Sequence, residues 1–175
     1  MVKKLLILLF CSSIIQSCNQ RRQGHFVEFD KIEYYYLETN SEVLYDLERK
    51  ENKNKVEQTF IDLIIWDTPE SLQDTSFVKI LSQMGFKRTT ISSSNESRLD
   101  KIFFKDPDPN NIEMACIDFF RDILIFKKNN SVRGIVKIDT YCGKIRIVRS
   151  NSVSSRQRSS QDFRDLIEIL KEEKL

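Results

Sequence analysis

The chain has 175 residues, with 12 Phe and 5 Tyr against only 4 Gly and 3 Pro. This composition excludes a disordered or low-complexity stalk and suits a single domain with its own apolar core. The formal net charge is +2, but two of the 28 basic side chains and none of the 26 acidic ones lie in residues 1–17. The remainder is therefore close to neutral.

The opening segment, MVKKLLILLFCSSIIQSCNQ, has the pattern of an export signal: two lysines followed by an apolar run. That run is shorter than the roughly 20 apolar residues that a membrane-spanning helix needs. It ends in Ile15-Gln16-Ser17-Cys18, which resembles the bacterial lipobox, with an aliphatic residue three positions before a cysteine and a small residue just before it.

The resemblance implies a lipoprotein signal peptide over residues 1–17, cleavage before Cys18, and a diacylglyceryl group on the Cys18 sulfur with a palmitate-type acyl chain on its amino group. Several acyl chains anchor a protein almost permanently, since each buried CH₂ contributes about 0.8 kcal/mol. Residues 18–27 are predicted to be a lipidated tether and residues 28–175 one domain in the bacterial cell envelope. Asn19, in place of Asp, favours the outer membrane. An ordinary signal peptide or a chance apolar start is the alternative.

The first half of the mature chain predicts a strand and then helices. Residues 27–37 (VEFDKIEYYYL) are aromatic and partly alternating, as in a strand. Thr39 and Glu42 have the spacing of a capping box, which predicts the start of a helix. Residues 60–66 (FIDLIIW) suit a helix or a buried strand equally. Their single Trp66 is interpreted as a core residue.

A short helix and a strand are predicted next. The apolar stripe from Phe77 to Met84 has helical spacing, and Gly85 stands where a left-handed helix cap is needed. Residues 86–91 are predicted to be a strand, residues 92–97 a polar loop, and residues 99–104 a short apolar element.

The clearest pattern lies in residues 120–142, where FRDILIFKK, NNS and VRGIVKIDTYC predict a β-hairpin that turns at Asn129 and Asn130. Residues 144–148 can add a third strand, residues 150–160 are predicted to be a flexible loop, and the stripe over 163–170 predicts an amphipathic C-terminal helix. Together these elements indicate an α+β fold with a mostly antiparallel sheet.

Two cysteines, Cys116 and Cys142, remain once the leader is removed and Cys18 is lipidated, and an even number outside the cytoplasm favours a disulfide. If the hairpin turns at Asn129 and Asn130, the two cysteines lie within one register step at the far ends of the two strands. A bulge or a looser turn would bring them opposite each other. Two buried free thiols are the alternative.

The segment FRDILIFKKNNSVRGIVKI, together with the preceding cysteine, resembles a stretch of small lipoproteins from Bacteroidetes-type bacteria. In that family a cysteine precedes a Y/F-R-D-I-L-I-F-K-K-N hairpin. A further cysteine follows the K-I pair there, and Asp139 stands at that position here. The resemblance implies a lipidated envelope protein and brings no activity with it.

Charge is unevenly distributed along the mature chain. Residues 28–118 carry 11 basic and 19 acidic side chains, whereas residues 127–158 carry 9 basic side chains and one acid. The basic stretch, represented by Lys144, Arg146 and Arg149, could bind an anionic membrane surface or polysaccharide. Alternatively, the two halves face each other in the fold or leave solvated charge on the outer faces of the strands. Because export separates the chain from nucleic acid, no nucleic-acid partner is expected.

Residues with catalytic or metal-binding patterns are scarce. His25 is the only histidine and lies in the predicted tether, and no set of zinc ligands or phosphate-binding glycine loop is present. The DPDPN stretch at 106–110 departs from a calcium loop at Asn111 and Ile117 and is interpreted as a rigid turn. No catalytic residue, metal or cofactor is therefore predicted.

Two functions remain open from the sequence. The first is a lipid-anchored, non-catalytic binding or structural module, whose partner is an envelope protein, an envelope polymer or the membrane surface. The second is a hydrolase that uses paired carboxylates on cell-wall polymer.

Overall fold

A computed structural model describes residues 24–66, 68–105, 116–150, 152–157 and 160–174. The predicted signal peptide, the lipobox with Cys18 and the 106–110 turn lie outside these ranges. None of the described helices is both long and apolar enough to cross a membrane.

The fold is α+β, as predicted, with six antiparallel strands in the order β2-β1-β3-β4-β5-β6. The strands are β1 (Lys31–Tyr36), β2 (Lys87–Thr90), β3 (Asp122–Lys128), β4 (Ser131–Asp139), β5 (Lys144–Arg149) and β6 (Ser152–Gln157). The described helices are α1 (Ser41–Arg49), α2 (Lys55–Ile64), α3 (Ser93–Phe104) and α4 (Ser160–Glu172), with a 3₁₀ helix at Ser76–Lys79.

Both faces of the sheet are apolar, so the sheet has a separate core on each side. Alternate strand residues such as Ile32, Leu124 and Phe126 pack against α3 and α4. The residues between them, such as Ile123 and Ile125, pack against α1, α2 and the 3₁₀ helix. We call these the α3–α4 face and the α1–α2 face. Burial on both sides explains why the central strands are near-continuous apolar runs.

The predicted hairpin is confirmed, and it contains a bulge. Asn129 and Asn130 have φ angles of 51° and 61°, the positive values that a two-residue type I′ turn requires. Beyond the turn Lys127 pairs with Val132, whereas Phe126 pairs with Gly134. Arg133 is therefore the extra residue of the bulge.

Several helix predictions are settled or corrected. Residues 60–66 belong mainly to a helix, α2, and Trp66 beyond its end is 58% exposed, so the interpretation of Trp66 as a core residue is wrong. The cap of α1 is Asn40 rather than Thr39, because the Asn40 side chain accepts from the Glu42 amide. Gly85 has the expected positive φ, 86°.

Two segments predicted to be loops are ordered elements. Residues 92–97 include the first turns of α3, which a distant residue stabilises: the Glu173 carboxylate accepts from the Ser92 amide at 3.0 Å and the Ser92 hydroxyl at 2.5 Å. Residues 150–160 contain β6, an edge strand that pairs only with β5 and can therefore be polar.

The N-terminal part of the domain begins earlier than predicted. Phe26 is 4% exposed and packs in the core of the α3–α4 face. Its amide donates to Asp100 of α3 at 2.8 Å, and the His25 ring nitrogen Nδ1 lies 2.6 Å from the other Asp100 oxygen. Residues 25–27 are therefore docked on the domain instead of forming part of a tether.

The antiparallel register places contrasting groups at the two ends of the sheet. The "hairpin end" holds the start of β1, the 128–131 turn and the end of β5. The "disulfide end" holds the start of β3, the end of β4 and both described cysteines. The nine residues of β4 separate the two ends by about 27 Å at about 3.4 Å per residue.

Candidate functional site

The disulfide end contains the predicted bridge between Cys116 and Cys142, whose Cα atoms are 6.2 Å apart. The pairing is confirmed, but the backbone arrangement that brings the two cysteines together differs from the predicted one. The bulge shifts the hairpin register in the opposite direction, and neither cysteine lies in a paired strand. Cys116 precedes β3, and Cys142 lies in the turn between β4 and β5, where the two segments approach each other.

Asp139 organises that turn. One of its oxygens accepts from the amides of Tyr141 at 2.8 Å and Cys142 at 3.1 Å, and the other accepts from the Phe119 amide at 2.8 Å. Ligand atoms of Asp118, Asp139 and Cys142 lie within 4.8 Å of one another. However, Cys142 is in the disulfide and Asp118 pairs with a lysine, so this group stabilises the turn and suits a metal poorly.

The three predicted anion-binding residues do not share one surface. Strand alternation places Lys144 and Arg146 on the α1–α2 side of β5, and Arg149 on the opposite side. Lys144 pairs with Asp118 at 2.5 Å, Arg146 is only 8% exposed, and the Arg149 guanidinium lies 5.2 Å from the ring centre of Phe26.

Part of the basic stretch meets the acidic half of the chain, as one alternative predicted: Lys127, Lys128 and Lys144 each pair with a carboxylate from residues 28–118. Glu33, 3% exposed, lies 2.8 Å from the Lys127 ammonium and 2.7 Å from the Arg88 guanidinium. Lys31 at 3.2 Å and the Tyr35 hydroxyl at 3.0 Å complete the set. Burial alone would raise the Glu33 pKa, but the hydrogen bonds from Lys127, Lys31 and Tyr35 outweigh it and lower the pKa to about 2.

A cleft of about 550 Å³ opens at the hairpin end. It is larger than two other described cavities, one of about 220 Å³ beside α1 and α2 and one of about 200 Å³ at the disulfide end. Its volume falls within the range of about 300 to 1,000 Å³ that is usual for ligand sites. Its apolar wall is contributed by three separate chain segments, and polar side chains surround the opening. The lining residues are Val27, Glu28, Leu72, Gln73, Lys128, Val132, Arg133 and Ser150.

Arg133 is the distinctive residue of this cleft. Because it is the bulged residue of β4, its side chain is directed differently from those of the regular ladder. Its side chain makes no hydrogen bond or ion pair with any residue that the structure describes, although its charge helps Lys128 to lower the pKa of Glu28 in the same cleft. An exposed guanidinium whose N–H groups have no described hydrogen-bond partner, beside a cavity of ligand size, can bind a carboxylate or a phosphate through parallel N–H groups.

A second cation at the cleft is held only loosely. The Lys128 ammonium lies 2.6 Å from Glu28, whose side chain is 77% exposed, and its hydrogen bond lowers the Glu28 pKa. Water screens an exposed pair of this kind, so it contributes little to stability. Lys128 can therefore exchange the Glu28 carboxylate for an incoming anion at small cost.

Sequence patterns did not identify Arg133. The members of the basic stretch that were predicted to bind anions, Lys144, Arg146 and Arg149, do not line the cleft. The usable signal was Gly134: a glycine inside a strand pattern often marks a bulge, and a bulge redirects its neighbour. Hydrophobic periodicity alone gives no such information.

The buried carboxylates have structural partners. Asp122 accepts from the Tyr34 hydroxyl and lies 2.7 Å from the Lys174 ammonium, and burial followed by the charge of Asp122 raises the Tyr34 pKa. Among the described carboxyls, Glu96 has a raised pKa, caused first by burial and then by Asp30 and Glu173. None of the three described cavities is lined by Glu96, and the carboxylate hydrolase stays a prediction.

Comparison with protein-family models, with curated proteins and with solved structures finds no match.

Proposed function

We propose that the chain is a lipid-anchored bacterial envelope protein that binds rather than catalyses, and that its hairpin-end cleft binds anionic lipid headgroups of the membrane that holds it. The carrying observation is Arg133, a bulge-directed guanidinium without a described partner in a cleft of about 550 Å³. Lys128 provides a second, exchangeable cation in the same cleft.

The position of the N-terminal segment supports this ligand. Val27 and Glu28 line the cleft themselves, and the chain enters the domain at the hairpin end. Only six residue-to-residue steps, with five residues in between, separate the predicted lipidation site, Cys18, from Gly24, the first described residue. At a maximum of about 3.5 Å per residue, they reach no farther than roughly 20 Å. Lipidation at Cys18 would therefore hold the cleft close to the headgroups.

Binding to vesicles tests the headgroup part of the proposal. A chain that begins at Asn19 contains every residue that the structure describes and lacks the proposed anchor. It should float with vesicles that contain phosphatidylglycerol and remain unbound with pure phosphatidylcholine, and added salt should weaken the binding. One basic residue near an anionic surface contributes about 1 kcal/mol, so Arg133→Gln should lower the affinity about fivefold.

Arg164→Gln is the matched control. Arg164 is exposed on α4 and donates a hydrogen bond to Gln161 of the same helix. Its substitution removes the same positive charge as Arg133→Gln. Equal binding to neutral and anionic vesicles, or equal affinities for the two variants, would overturn the headgroup proposal. Cosedimentation with peptidoglycan in place of vesicles would assign the cleft to a polymer.

Lipidation is tested separately by the intact mass of the natively expressed protein. The expected product begins at Cys18 and carries fatty acids, whereas a Cys18→Ser variant keeps its leader. Recovery of the wild-type chain with Met1 in place and without fatty acid would exclude the anchor. The vesicle result would still stand in that case.

A further inference from the structure

We infer a second binding site, at the disulfide end, for the terminal carboxylate of a peptide that ends in an apolar residue. The site is a pocket of about 200 Å³ that lies at the opposite end of the sheet from the headgroup cleft. It is independent of the proposed function, because none of the residues that line it lines the other cleft.

The walls of the pocket are rigidly connected. Phe119 and Tyr141 belong to segments on either side of the disulfide, and the Asp139 carboxylate binds the amides of both at 2.8 Å. Tyr45 of α1 packs edge-on against Phe119, with ring centres 4.7 Å apart. A pocket held this firmly loses little conformational entropy when a ligand enters.

The pocket contains a guanidinium with unused donors. Arg121 donates from one terminal nitrogen to the Thr39 carbonyl oxygen at 3.3 Å. The Arg121 side chain has no other hydrogen bond or ion pair within the described parts of the chain. The hydroxyls of Ser41, Tyr45 and Tyr141, which also line the pocket, make no hydrogen bond to described residues.

This donor set favours a single carboxylate. An arginine fork binds a carboxylate through two parallel N–H groups, and hydroxyls can supply further donors. Asp139 at the pocket wall contributes one negative charge, which balances Arg121 and disfavours a doubly charged phosphate. The aromatic walls formed by Tyr45 and Phe119 suit an apolar side chain next to that carboxylate.

The rim of the pocket indicates a ligand longer than one residue. Tyr141 is 82% exposed and Ile117 is 54% exposed, and both border the opening. A cavity of about 200 Å³ holds one residue, so the preceding residues of a peptide would lie across these two side chains. Capture of a terminal carboxylate combined with apolar contacts is a recurring mode of peptide recognition.

Calorimetric titration of the chain that begins at Asn19 tests the site, with acetyl-Ala-Ala-Leu as probe in the free-acid and carboxamide forms. The free acid should bind at least about tenfold more tightly than the amide, because charge-assisted hydrogen bonds are lost with the carboxylate. Arg121→Gln should lower the affinity for the acid about tenfold to a hundredfold and leave the affinity for the amide unchanged.

Two further variants separate binding from folding. Ile117→Ala changes a side chain that is 54% exposed; it should weaken binding of the tripeptide and leave binding of acetyl-leucine unaffected. Arg133→Gln, at the other end, should bind the tripeptide like wild type. Equal affinity for acid and amide, or equal losses for Arg121→Gln and Arg133→Gln, would overturn the inference. Tighter binding of glucuronate than of the peptide would assign the pocket to sugar acids and would also overturn the inference of a peptide site.

Discussion

The two ends of the sheet are stabilised by different chemistry. At the hairpin end, Glu33 and three surrounding cations join β1, β2 and β3 through ion pairs. At the disulfide end, a covalent bridge and the backbone contacts of Asp139 join the β4–β5 turn to the segment before β3. One end should therefore respond to acid and the other to reductant, and each can be perturbed while the other stays intact.

The largest expected effect belongs to the disulfide. The bridge joins residues 26 apart, and closing a loop of that length stabilises a fold by about 3 kcal/mol. The double variant Cys116→Ser, Cys142→Ser should lose about that amount in urea unfolding followed by circular dichroism. Dithiothreitol should destabilise wild type equally and leave the double variant unchanged. A double variant as stable as wild type would show that the covalent link is dispensable.

Glu33 should dominate the acid response of the hairpin end. Its folded pKa of about 2 lies below the ordinary value of 4.5, so its contribution is complete above about pH 5 and disappears as the pH falls towards 2. The shift corresponds to about 3 kcal/mol, at about 1.4 kcal/mol per pKa unit. Glu33→Gln should remove that part of the pH dependence of the unfolding free energy, whereas Glu28→Gln, at an exposed pair, should not. Parallel acid curves for wild type and Glu33→Gln would contradict the assignment.

Glu173 takes part neither in the ion pairs around Glu33 nor in the contacts around the disulfide, so it provides a baseline. Its carboxylate binds the Ser92 amide, the Ser92 hydroxyl and Asn95 at the start of α3. Glu173→Ala should cost about 1 to 2 kcal/mol, as loss of a helix cap does. Hydrogen exchange should accelerate at the first amides of α3. Glu168→Ala, an exposed change on α4, is the control, and the same exchange rates in both would refute the capping role.

The smallest effect is expected at Trp66. Because its side chain is 58% exposed, Trp66→Ala should cost about 0.5 kcal/mol in urea unfolding, against about 3 to 5 kcal/mol for a buried aromatic residue. Phe77→Ala, at a side chain that is 2% exposed, supplies the buried comparison. Similar losses of unfolding free energy in the two variants would show that Trp66 is a core residue after all.

Local patterns in the sequence were sufficient for part of this structure. The hairpin was predictable because consecutive asparagines accept positive φ angles between two apolar runs. The class, the C-terminal helix and the disulfide pairing followed from periodicity and from the predicted export. The start of α3 was not predictable, since its cap comes from Glu173. The edge strand β6 was missed because an edge strand can be polar.

The sites were harder to predict than the fold. Arg133 depends on the register shift at Phe126 and Lys127, and the Arg121 pocket depends on the approach of α1 to the segment before β3. Only the first has a local sequence signal, the glycine at position 134 inside a strand pattern. The alternation of side chains along a strand does place Lys144 and Arg146 on the face opposite Arg149. Treating the basic stretch as one surface patch ignores this alternation.

The contacts of the last described residues constrain when the domain can fold. Glu173 caps α3, and Lys174 neutralises the buried Asp122. A chain still on the ribosome and lacking these two residues leaves one helix uncapped and one carboxylate buried without its cation. The domain therefore reaches its full stability only after residue 174 has been synthesised and these contacts can form.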